Sequence, residues 1–110
     1  MTLKDWQAWV AAFDEARGWQ EVAPEHTALH LLEEFGEIAR ELLRQSAYKE
    51  GRARLADEMA DFLLLFFKLA NQYGVELEPA LAQKAAELER RFPLEASKRA
   101  MERYKKRHAD

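Results

Sequence analysis

The stretch RLADEMADFLLLFFKLANQYG, residues 54–74, decides the fold. Its segment FLLLFFKLA (62–70) is apolar on nearly every side and far shorter than a membrane span. A helix of that kind must be covered on more than one side. Helical periodicity runs through nearly all of the remaining chain, and no alternating strand pattern is visible. The expected fold is all-α, a four-helix bundle core whose short connections favour antiparallel neighbours. A lone bundle of 110 residues struggles to wrap such a helix. Helices of a second subunit are its natural cover, so an obligate homo-oligomer is expected, a homodimer or a dimer of dimers.

On the N-terminal side, Thr2 and Asp5 have the spacing of a capping box that opens a first helix. Trp6, Trp9, Val10 and Phe13 then share one face and are expected to pack. Gly18 ends that helix, and Pro24 suits the first turn of a second helix over about 24–46. Tyr48 to Arg52, with Gly51, reads as a turn. The third helix runs from about Arg54 to Tyr73 and stops at Gly74. Pro79 opens a fourth helix to about Arg91, and Pro93 restarts the chain into a basic C-terminal helix or tail, 93–110. One domain, 1–110, with its core at about 3–92, is the expected organisation.

Composition narrows the function. Hydrophobic residues make up 48% and charged residues 34% of the chain, a globular balance. There is no cysteine, which excludes both a disulfide framework and a thiolate metal site. With no membrane-length apolar run and no signal-peptide pattern, a cytoplasmic protein without a membrane partner is expected. The net charge of −3 conceals an asymmetry. Residues 1–83 carry 8 basic and 15 acidic side chains, and residues 84–110 carry 9 and 5. A basic end of this kind suits an anionic substrate or a partner's acidic surface, or is simply a solvated face. Nucleic acid is not the expected partner.

Two acidic groups stand apart from the scattered surface charge. Glu33, Glu34 and Glu37 lie in HLLEEFGEIARELL (30–43), and Glu58 and Asp61 lie in LADEMADFLL (55–64). Residues three apart on a helix share a face, so Glu34 pairs with Glu37 and Glu58 with Asp61. Both pairs border core-facing stripes. If helices two and three pack antiparallel, four carboxylates converge, repel one another and raise one another's proton affinity. A bound cation would resolve the conflict. Oxygen-only ligands suit a hard ion, Mg²⁺ or Mn²⁺. No histidine follows a glutamate at the spacing of a ferritin-type di-iron site, and His26 with His30 alone offers too little nitrogen for zinc. Gly36, inside the same stretch, costs about 1 kcal/mol against alanine. It permits either a tight helix crossing or room for what the ions hold.

Glu33-Glu34-x-x-Glu37, twenty intervening residues and Glu58-x-x-Asp61 resemble the EExxE…ExxD signature of the MazG-like, all-α nucleoside triphosphate pyrophosphohydrolases. ARGWQEVAPEHTALHLLEEFGEIAREL, RLADEMADFLLLFFKLANQYGVEL and KAAELERRFP (84–93) are similar to successive blocks of that family, which includes a dCTP pyrophosphatase branch. The resemblance implies Mg²⁺-dependent hydrolysis of a nucleoside triphosphate to the monophosphate and pyrophosphate. It makes Glu34, Glu37, Glu58 and Asp61 metal ligands. Glu33 would hold a further ion or activate the attacking water, and Glu37 would share in catalysis. It also implies phosphate contacts by Lys84 and Arg91 and an aromatic platform for the base at Trp19. His30, one turn before Glu34, could line the pocket. The dCTP-hydrolysing branch carries Asn four residues after the lysine, whereas this chain has Leu88 there, which leans towards the plainer MazG type. House-cleaning of unusual nucleotides fits that type. The alternatives are phosphoribosyl-ATP pyrophosphohydrolase activity, found in the same superfamily, and a non-catalytic helical dimer that serves as an interaction module.

Overall fold

A computed structural model describes residues 1–45 and 51–109. Among them are five helices and no strand. They are α1 (Leu3–Arg17), α2 (Pro24–Gln45), α3 (Gly51–Gln72), α4 (Leu77–Arg91) and α5 (Leu94–Arg107). The chain divides into two compact units, Met1–Leu77 and Glu78–Asp110. The first contains α1, α2 and α3, and the second holds most of α4 and all of α5.

Local chemistry sets most of the helix ends. Asp5 N–H donates to Thr2 Oγ1 at 3.1 Å while Thr2 N–H donates to the Asp5 carboxylate at 2.9 Å, a complete capping box. The Thr2 backbone N–H, and after it the Thr2 side chain, hold the Asp5 carboxyl below its ordinary acidity range. Gly18 closes α1 at φ 73°, a left-handed conformation that costs a residue without Cβ little. A single turn of 3-10 helix, Trp19–Glu21, leads on towards α2, which Pro24 opens.

Two boundaries depart from expectation. α3 has already begun at Gly51, so only residues 48–50 of the expected turn are left, and they lie outside the described residues. α4 starts at Leu77 and not at Pro79. The Leu77 N–H finds an acceptor in Gln7 Oε1 at 2.9 Å, and Pro79 then falls in the first turn, where a missing N–H costs nothing.

α2 and α3 form the largest packed pair, with α1 laid on α3. Arg54 reaches Glu41, and Gln72 Nε2 donates to the Val22 carbonyl at 2.8 Å. The start of α3 therefore meets the end of α2, and its end meets the segment before α2: the pair is antiparallel, as expected. The small core comprises Val10, Leu31, Ile38, Phe67 and Ala70. α1 faces it with Gln7, Val10 and Asp14. Trp6 and Trp9, expected to pack inside, are 38% and 43% exposed. They belong instead to an aromatic row in which Trp9 stacks on Phe13 at 5.0 Å and Phe13 meets Trp19 edge-on at 5.7 Å.

Gln7 is buried and fully engaged. Its Nε2 donates to Asn71 Oδ1 and to the Val75 carbonyl, its Oε1 accepts from Leu77, and its carbonyl accepts from Asn71 Nδ2. Leu63 and Phe66 remain substantially exposed on α3, as do Leu29, Leu32 and Phe35 on α2. The apolar run of α3 is thus only partly covered by its own chain.

Candidate active site

The antiparallel pairing of α2 and α3 brings the two acidic groups together. One carboxylate oxygen from each of Glu34, Glu58 and Asp61 lies within 4.8 Å of the others. That spacing lets one cation touch all three. Glu34 and Glu58 are half-buried and Asp61 is exposed. Burial of Glu58 raises its proton affinity, and the negative charges of Glu34, Glu37, Asp61 and Asp57 raise it further, in that order. The repulsion expected from the sequence is present.

Glu37 contributes to that field but stands outside the close group, with Arg40 3.9 Å from its carboxylate. Glu33 is exposed on α2. Among the described residues, a Cβ built at Gly36 meets nothing within 4 Å. No tight crossing at Gly36 is seen among them, and open space lies beside the acidic turn.

Glu34 and Asp61 also line a cavity of about 620 Å³ between α1, α2 and α3. Trp9, Phe13 and Trp19 form its aromatic wall, and His30 and Lys68 lie on its lining. His30 Nε2 is 3.4 Å from Glu34, which fits the pocket-lining place expected for it. Trp19 is half-exposed and offers a ring to the cavity while its edge meets Phe13. Arg17 lies over Phe13, with its guanidinium 3.6 Å from the ring centre. The combination is a cavity of ligand size with apolar walls and a few charged groups.

Lys84 and Arg91 lie in the second unit, where Glu87 joins them. Lys84 Nζ is 2.9 Å and Arg91 3.8 Å from the Glu87 carboxylate. Both cations are well exposed.

Residues 22–95 fit the MazG nucleotide pyrophosphohydrolase domain. The chain belongs to that family. It is also similar to the uncharacterized protein YvdC of Bacillus subtilis (strain 168), with 33% identity over 103 residues. That match covers 84% of this chain and 97% of the relative. A nucleotide hydrolase is therefore the coarse reading for this MazG domain, and no described helix is long and apolar enough to cross a membrane.

Sequence reasoning missed four buried polar residues: Gln7, Asp14, Thr27 and Glu41. Glu41 is held by Arg44 and Arg54 at 3.8 and 3.7 Å. Thr27 Oγ1 is buried and, among the described residues, has no hydrogen-bond partner. Asp14 and Thr27 line the same cavity as Glu34 and Asp61. Spacing offered one signal, since Gln7, Val10 and Asp14 follow a single helical stripe.

Proposed function

We propose that this protein hydrolyses nucleoside triphosphates to nucleoside monophosphate and pyrophosphate with Mg²⁺, Mn²⁺ being able to replace it. The observation that carries this reading is the trio Glu34, Glu58 and Asp61, whose oxygens converge within 4.8 Å and of which Glu34 and Asp61 line an aromatic cavity. Three carboxylates without a compensating base suit a hard divalent cation, and burial, then the charges of Glu34, Glu37 and Asp61, raise the proton affinity of Glu58, a cost such a cation would relieve. Glu34, Glu58 and Asp61, joined by Glu37, would hold the metal. Bound there, Mg²⁺ would offset the phosphate charge and make a nearby water more acidic.

The chain's own residues supply the rest. Glu33 takes the proton of the attacking water, Glu37 orients it, and the bond between the α- and β-phosphates is cleaved. Lys84 and Arg91 bind the phosphates and steady the charge that leaves with pyrophosphate. Trp19 stacks on the base and His30 fixes the orientation of Glu34. The exposed apolar residues of α2 and α3 support a homo-oligomer, and house-cleaning of unusual nucleotides in the cytoplasm is the biological setting that suits the reaction.

The test is pyrophosphate release across ribo- and deoxyribonucleoside triphosphates, with and without Mg²⁺. Turnover of at least one triphosphate, lost on chelation, is expected. No turnover of any, with no metal effect on melting, overturns the reading.

A further inference from the structure

Asp14 and Thr27 are buried polar residues on the cavity, 8% and 2% exposed. Thr27 Oγ1 has no partner among the described residues. Among the described residues, no hydrogen bond or ion pair engages the Asp14 carboxylate, although the Asp14 backbone carbonyl accepts from Gly18. Buried polar groups are almost always satisfied, so an unpartnered Thr27 hydroxyl on the same cavity as an unengaged Asp14 carboxylate points to a ligand that completes them. The indoles of Trp9 and Trp19 on the same cavity supply flat faces on which a nucleobase can stack.

We propose that Asp14, assisted by Thr27, reads the base of the substrate and selects one that presents two neighbouring N–H donors, the edge of guanine. This rests on the triphosphate reading above. An ionised carboxylate only accepts hydrogen bonds, and its two oxygens match two donors side by side. Guanine offers N1–H beside its 2-amino group. Adenine and cytosine each place an amino group beside a bare ring nitrogen, whose lone pair would face a carboxylate oxygen. Thymine and uracil flank their one N–H with two carbonyls. The Thr27 hydroxyl can donate or accept, so it suits the guanine carbonyl or the sugar.

The decisive comparison needs no variant. dGTP and dITP differ only by the 2-amino group, so the ratio of their kcat/KM values isolates the second hydrogen bond. A preference for dGTP over dITP, dATP, dCTP and dTTP of about tenfold or more is expected. Asp14→Asn, which offers one acceptor beside one donor, should abolish the dGTP/dITP ratio and favour dATP and dCTP relative to dGTP. A merely structural aspartate would lower all substrates together. Thr27→Val should lower kcat/KM for dGTP without lowering the melting temperature, because the hydroxyl it removes is unpaired. Equal turnover of dGTP and dITP by the wild type overturns the proposal, as does an unchanged ratio in Asp14→Asn. If no triphosphate is hydrolysed, the catalytic reading falls on its own. Calorimetric binding of dGMP against dIMP with Mg²⁺ then decides the base reading: tighter dGMP supports it, and equal affinity sinks it.

Discussion

Glu34 and Glu41 sit two turns apart on α2, and their fates differ. Glu41 is buried at 5% exposure, yet Arg44 and Arg54 both approach its carboxylate. Glu34 is half-buried beside Glu58 and Asp61, and among the described residues His30 is the one base paired with it, at 3.4 Å. One acid is neutralised by the protein's own cations, and the other is crowded by more acids. A carboxylate in the first position holds the helices together. One in the second position costs stability unless a cation arrives from outside, and that is the signature of a site.

The contrast can be broken from either end. The largest effect is expected at the trio. Asp61→Asn should lower Mg²⁺-dependent pyrophosphate release by about a hundredfold or more, while circular dichroism shows the fold unchanged. Full activity in that variant would remove Asp61 from the site. At the other acid, Glu41→Gln should destabilise by about 1–2 kcal/mol through loss of two charged partners. A melting curve would fall by several degrees, and the gain on adding Mg²⁺ would stay the same. An altered Mg²⁺ response would mean that Glu41 belongs to the site after all.

A third expectation concerns pH in the metal-free protein. Glu58 holds its proton more tightly than the ordinary 4.5, through partial burial and then Glu34, Glu37, Asp61 and Asp57. Its contribution to stability is full below the unfolded-state value and is lost as pH rises through the folded-state value. Glu58→Gln should therefore gain stability relative to wild type as pH climbs from about 4 to about 7. A melting-temperature difference that stays flat over that range contradicts the crowding. The smallest effect is expected at Gly36→Ala, which should add up to about 1 kcal/mol, since its Cβ meets nothing. If that variant is more stable but slower, the glycine is kept for the space it leaves.

Much of this was legible in the chain. The 3.6-residue period pairs Glu58 with Asp61, and one antiparallel packing step brings Glu34 to them. Caps are equally local, so Thr2, Asp5, Gly18 and Pro24 announced their roles. Asp14, Thr27 and Glu41 did not, because polar side chains read as surface until their neighbours are known. Trp6 and Trp9 failed in the opposite sense. Their size and spacing suggested a core, but α1 turns Gln7, Val10 and Asp14 inward and leaves the indoles on the rim. The start of α4 depended on an acceptor supplied by Gln7, 70 positions away in sequence.

That glutamine has one more effect. Oily contacts between α1 and α3 are tolerant and could be satisfied, nearly as well, after a slide of one turn. Such a slide would bring Leu3 or Ala11 to the place of Gln7, and neither side chain can serve Asn71, Val75 and Leu77. All the side-chain bonds would be lost together. Gln7 thus works as a key in a lock, rejecting near-miss alignments that packing alone would accept, and it fixes the height at which Phe13 and Asp14 stand above the cavity.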